Sequence, residues 1–227
     1  MSSPPSTRTQ RPSALRLLAD PQVRLGLGSA AVLVTALSAR RNLVGHGEAR
    51  AFRAVNGLPD ALDIPVWVIM QLGTLGAAPA AAGVALLAHD RALAGRLLAG
   101  GTGTWALSKL VKRMVRRPRP ATLISGTRTR GREASGLGYL SGHAGVAVAL
   151  GAAAFPRLSP PGRAAVATVA PLVGLSRIYV GAHLPLDIAG GAALGLTVDA
   201  AVALARPPSG PAMRAAPRRD GNGLPGP

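Results

Sequence analysis

The chain has no cysteine, which excludes disulfides and thiolate metal sites and leaves the redox compartment open. Aromatic residues make up only 3% of it. A nucleic-acid binder needs such rings as stacking platforms, so nucleic acid is not expected as a partner. Acidic residues are scarce too: 9 Asp and Glu stand against 26 Lys and Arg, a formal net charge of +17. Lysine itself is nearly missing, with Lys109 and Lys112 set among many arginines. A lysine kept against that bias is a candidate for work that arginine does not do.

What remains is apolar mass built from Ala, Leu, Val and Gly: 48% of the 227 residues are hydrophobic. It falls into six runs, Pro21 to Ala39, Ile64 to Leu87, Ala92 to Val115, Ser141 to Phe155, Ala164 to Val180 and Leu184 to Ala205. A spanning helix needs about 20 mostly apolar residues, and five runs are near that length. The fourth is shorter and is expected to be shielded by its neighbours or to end at the floor of a recessed cavity. Six such runs leave too little polar sequence to cover them in water. The expected fold is therefore all-α, an integral membrane bundle of six transmembrane helices over residues 21–205. Residues 1–20 read as a disordered N-terminal tail and 206–227 as a disordered basic C-terminal tail. The polar start argues against a cleavable signal peptide, so the first run reads as a retained helix. Small-residue pairs, Gly26 with Ala30 and Gly191 with Gly195, suit close helix packing, but such pairs are common in a Gly/Ala-rich chain.

Three polar segments interrupt the apolar pattern: Lys112 to Pro120, Leu140 to His143, and Ser176 to Asp187. On a six-span plan they close the third span, open the fourth, and join the fifth to the sixth. All three then fall on one membrane face, as a composite site requires. Pro118 disfavours a helical Arg117 and turns the chain after the third span, which can bring Lys112 and Arg119 around one anion. Arg113, Arg116 and Arg117 read as cations snorkelling at the interface. Ser141 is a good N-cap, and the free amides after it can bind phosphate oxygens; His143 then sits in that first turn. Pro185 suits the start of the last helix. His183 and Asp187 lie one turn apart, so the carboxylate can take a proton from one imidazole nitrogen and leave the other nucleophilic. Two histidines and an aspartate could instead hold a metal, but Lys112, Arg119 and Arg177 crowd the same face and argue for an anion. Asp199 reads as interfacial and carries no role. Ala121 to Tyr139 reads equally as a mobile head-group loop or a solvated connection.

Together, Lys-x6-Arg-Pro, Ser-Gly-His and Ser-Arg-x5-His-x3-Asp resemble the type 2 phosphatidic acid phosphatase family, whose superfamily includes vanadium-dependent haloperoxidases. The motifs run from Lys112 to Asp187; the one departure is Leu140 where the family usually has proline. The resemblance implies a phosphatase acting on a lipid phosphate or diphosphate of the phosphatidate, phosphatidylglycerol phosphate or polyprenyl diphosphate type. His183 would form a phosphohistidine, Asp187 would orient it, and His143 would protonate the leaving alcohol and then help water attack. Lys112, Arg119, Arg177, Ser141 and Gly142 would bind the phosphate, with no metal and no cofactor. A lipid phosphotransferase using an alcohol acceptor is the alternative. The implied partners are the lipid phosphate and the membrane. Lys and Arg are nearly balanced between the two sides until the cations from Lys109 to Arg132 and Arg177 are assigned to the anion site. The remaining excess puts both tails in the cytoplasm and the active site on the extracytoplasmic side of the cell membrane.

Overall fold

The computed structural model describes residues 19–131 and 135–205. The tail readings for residues 1–20 and 206–227 lie outside them, except for Ala19 and Asp20 where the first helix begins, and Arg132 and Glu133 lie outside as well. Among the described residues there is no strand. The main helices are α1 (Pro21–Arg40), α2 (His46–Asn56), α3 (Asp63–Gln71), α4 (Ala77–Leu87), α5 (Arg91–Val115), α6 (Gly142–Ala154), α7 (Pro160–Tyr179) and α8 (Pro185–Ala205).

Local chemistry sets most of these boundaries. Asp20 caps α1 by accepting the Gln22 amide at 2.7 Å, with Pro21 in the first turn. Asp90 caps α5 through the Leu93 amide at 2.9 Å. At the other end of α5 the chain leaves at Arg116, which has φ +57°, so Pro118 lies beyond the helix and not inside it. Ser141 caps α6, its hydroxyl accepting from the Ala144 amide at 3.4 Å.

The six-run plan needs two corrections. Ile64 to Leu87 forms not one helix but two, α3 and α4, broken between Gln71 and Ala77. The break lies at a close approach to the neighbouring helices. A Cβ on Gly73 would lie 2.5 Å from the His143 carbonyl oxygen and 2.6 Å from Val173, so the backbone there runs directly against α6 and α7. The connection after α1 is also not a plain loop, because it contains α2, whose buried face carries Phe52 and Asn56.

α6 is the innermost helix and packs on α5, α7 and α8. Ala144, Gly145, Val146, Ala147, Ala149, Gly151 and Ala153 are all buried. Its 13 residues span about 20 Å, less than the ~30 Å of a hydrocarbon core, and its neighbours cover it. α8 reaches it through glycine. A Cβ at Gly191 would run into the Ser141 carbonyl, one at Gly195 into the Gly145 carbonyl, and one at Gly145 would lie 2.9 Å from the Gly191 carbonyl oxygen. The Gly191–Gly195 pair is therefore a true close contact. Gly26 and Ala30 are not: both are exposed, and it is Gly28 that meets α8, at Thr197.

The outer surface is strongly apolar. Leu27, Leu33, Val34 and Leu37 on α1, Ile64 on α3, and Val84 and Leu87 on α4 are all more than half exposed. So many exposed large apolar side chains mark a surface made for something other than water. α1 and α8 are each long and apolar enough to cross a membrane.

Candidate active site

The end of α5, the start of α6, the end of α7 and the start of α8 meet at one pole of the bundle. The packing of α6 on α5, α7 and α8 carries Lys112, Ser141, His143, Arg177, His183 and Asp187 there together. Arg119 joins them from the turn after α5.

His183 lies at the centre and is 3% exposed. Its Nε2 is 3.3 Å from an Arg119 guanidinium nitrogen. Its Nδ1 is 3.6 Å from Asp187 Oδ2 and has no hydrogen-bond partner nearer than that. Burial, reinforced by the charges of Lys112, Arg119 and Arg177 and by His143, holds His183 well below the usual imidazole range. It is therefore neutral near pH 7, with one nitrogen facing a carboxylate and the other facing cations.

Asp187 is fully buried. Its Oδ2 accepts the Leu184 amide at 2.8 Å and its Oδ1 accepts from Arg117 at 2.9 Å. His143 is half-buried in the first turn of α6, and the charges of Arg177, Lys112, Lys109 and Arg119 all bear on it. Ser141 is buried and holds the cap of α6, and its own amide donates to the Asp187 carbonyl at 2.9 Å. Gly142 packs on Ser108, 3.1 Å from where its Cβ would be.

The three expected phosphate cations differ in how far the protein already occupies them. Lys112 donates to the carbonyls of Leu137 and Gly138 at 3.2 and 3.0 Å. Arg119 donates to the carbonyls of Ala182 at 2.7 Å and Ser135 at 3.0 Å. Arg177 makes one contact with the Met70 sulfur at 2.6 Å, a weak acceptor, and its Nε is buried without a partner. Arg119 and Arg177 both line a cavity of about 460 Å³, walled also by Ile64, Trp67, Met70 and Tyr179. The site thus offers a buried neutral imidazole, cations with unused donors, and an adjoining cavity with an apolar wall. Among the described residues no three His, Asp or Glu side chains converge as metal ligands.

The PAP2 superfamily model matches residues 92–210, just over half of the chain, and covers all three polar segments from Lys112 to Asp187. The chain belongs to the PAP2 superfamily. Two solved PAP2-like folds resemble it. Aquifex aeolicus LpxE superposes with a TM-score of 0.61 at 22% identity, over 68% of this chain and 93% of its own. The transmembrane PAP2 type phosphatidylglycerolphosphate phosphatase from Bacillus subtilis superposes at 0.55 with 23% identity, over 77% and 93%. No curated protein matches the chain.

Several partnerships in this PAP2 fold were hidden in the sequence, and one residue was read wrongly. Arg117 does not snorkel. It is fully buried and bridges Asp187 and Glu48, with 2.9 Å to each. Glu48 stands on α2, outside every motif. Asp199, to which the sequence reading gave no role, has two partners. It is fully buried near the opposite pole, where Arg24 holds it at 2.6 Å and Arg96 at 2.8 Å. A carboxylate between two arginines at this depth joins α1, α5 and α8. The segment after α5 is pinned where it is described. Asn56 exchanges hydrogen bonds with the Arg128 backbone at 2.8 and 2.9 Å. Arg130 pairs with Asp60 at 2.9 Å and lies over the Tyr179 ring at 4.1 Å.

Proposed function

We propose that the chain is a multi-pass membrane phosphatase that removes phosphate from a lipid through a phosphohistidine on His183. The observation that carries this reading is the placement of His183: Nε2 beside a cation at 3.3 Å, Nδ1 toward Asp187, and a cavity with an apolar wall alongside. The family membership and the two phosphatase-like folds support it.

In this mechanism the phosphate enters the cavity and takes up the free donors of Arg177, Arg119 and Lys112, assisted by Ser141 and the Gly142 amide. His183 Nε2 attacks phosphorus in line with the ester oxygen. The phosphorus–oxygen bond breaks as the new phosphorus–nitrogen bond forms, and the charge on the equatorial oxygens is met by guanidinium groups already in place. Asp187 holds the proton on Nδ1 and stabilises the ring as it gains charge. His143 gives its proton to the leaving alkoxide, then takes one from the water that cleaves the phosphohistidine. Cations fixed by the fold do the work a metal does elsewhere, so no cofactor is invoked. Phosphatidate, phosphatidylglycerol phosphate and polyprenyl diphosphate each present such a phosphate on a greasy anchor. α1, the broken pair α3–α4, α5, α6, α7 and α8 supply six crossings, and the apolar exterior supports them.

The test is a burst experiment with p-nitrophenyl phosphate, whose leaving group needs little protonation. His143→Ala should still release a burst of nitrophenol and retain acid-labile phosphate on the protein, because attack survives and hydrolysis is slowed. On a lipid phosphate, with its poor alkoxide leaving group, the same variant should lose about 10²–10⁴-fold. His183→Ala should show neither burst nor phosphoprotein. A burst in His183→Ala would put the nucleophile elsewhere.

A further inference from the structure

The ionic cluster behind Asp187 extends well beyond the three motifs. Arg117, fully buried, donates from one guanidinium nitrogen to Asp187 Oδ1 at 2.9 Å and to Glu48 Oε1 at 3.1 Å. Its other terminal nitrogen donates to Glu48 Oε2 at 2.9 Å. Glu48 is 14% exposed in its side chain and grips a second target, the Leu186 amide, which donates to its Oε1 at 3.1 Å. A side chain on α2 therefore holds both the cation facing Asp187 and the backbone next to it.

The charge count gives this arrangement a consequence. One guanidinium is shared by two carboxylates. If Arg117 faced Asp187 alone, it would neutralise that carboxylate and weaken it as a proton acceptor. Glu48 takes two of the hydrogen bonds of Arg117 and returns a negative charge to the cluster. Asp187 then reaches His183 through its other oxygen, on the far side from Arg117.

We propose that Glu48 is a positioning residue for phosphoryl transfer: by sharing Arg117 and anchoring the Leu186 amide, it keeps Asp187 a strong proton acceptor aimed at His183 Nδ1. The proposal rests on the reading of His183 as nucleophile. The groups facing His183 are Lys112 from α5, Arg119 from the turn after it, His143 from α6, Arg177 from α7 and Asp187 from α8. Glu48 reaches it only through Arg117 and Asp187.

Three variants of the full-length protein in detergent test this, each followed for thermal midpoint, burst rate with p-nitrophenyl phosphate, and the pH dependence of that burst. Glu48→Gln removes the charge. Its burst rate should fall about 10- to 100-fold, as expected for a misaimed reacting group, with KM changed less than about threefold because the phosphate cations are untouched. The limb of the profile that belongs to His183 should move to lower pH, because the imidazolium loses part of the negative charge that stabilises it. Glu48→Asp keeps the charge but is one methylene short, so the rate should fall with the limb unmoved. Phe52→Leu loosens the same helix at its buried contacts with Ile124, Ile178 and Leu184 without altering charge, and should lower the thermal midpoint with little effect on rate or limb. If Phe52→Leu reproduces the losses of Glu48→Gln at an equal fall in midpoint, Glu48 only staples α2 and the proposal fails. Wild-type behaviour in Glu48→Asp also overturns it, and that arm stands even if Glu48→Gln does not fold. A wild-type protein that forms no acid-labile phosphoprotein would sink the nucleophile reading itself, a result distinct from either.

Discussion

Neutral His183 is a consequence of depth. An imidazole in water titrates near about 6.5, whereas burial and the surrounding cations hold this one far lower in the folded protein. The unfolded chain therefore takes up a proton, as pH falls through about 6.5, that the native protein refuses. The stability contributed by the neutral buried ring is complete above that pH and is lost below it, at up to about 1.4 kcal/mol per pH unit. Thermal midpoints in detergent should fall between pH 7.5 and 5.5, and fall less in His183→Gln, which has no proton to gain. Parallel curves for the two proteins would contradict the buried neutral state. At this scale the sequence was readable where motifs name their residues and opaque where partners are remote. Arg117 and Glu48 are 69 positions apart, and nothing in either segment announces the other. A glutamate in an amphipathic stretch between two apolar runs was the one available hint, since an acidic residue is rare in this chain.

Helices are positioned here by what their glycines allow. Gly191 lets α8 touch the backbone of the Ser141 cap, and that cap starts the helix bearing His143. Gly191→Ala should therefore push α6 away, with a stability cost of about 1–3 kcal/mol and a loss of activity beyond what unfolding explains. Gly83→Ala is the control, because nothing lies within 4 Å of its would-be Cβ. Its thermal midpoint should hold or rise, as alanine favours helix by up to about 1 kcal/mol. If both variants behave alike, close approach at Gly191 is not limiting. Hydropathy located the long helices but could not see the break between α3 and α4, because an unbroken apolar run reads the same whether or not its backbone bends. Gly73, Gly76 and Pro79 were the signal, and the meaning of Gly73 depends on the His143 carbonyl lying opposite. The hydropathy of α2 was too low to register, yet its apolar face of Phe52 and Val55 fits the helical period.

For the whole molecule, the proposed orientation puts the pole with His183 on the extracytoplasmic side. Single cysteines can report this in a chain that has none. Ser125 and Ser159 are both exposed, in the segment after α5 and at the start of α7. Ser125 is a better probe than neighbouring Gly126, whose φ of +73° a cysteine would strain. An impermeant thiol reagent on intact cells should label Ser125→Cys and spare Ser159→Cys, and the reverse pattern would turn the protein over. The wall of the 460 Å³ cavity has a further consequence. Ile64 and Trp67 line it, yet they are 78% and 58% exposed on the outer face of α3, so the chamber holding Arg119 and Arg177 is bordered by the apolar outer surface that the proposed membrane setting would turn toward lipid. A substrate arriving by that route diffuses in two dimensions and never crosses water. Turnover in mixed micelles should then follow the mole fraction of substrate in the micelle, and diluting the whole sample with buffer at constant mole fraction should leave the rate per enzyme unchanged.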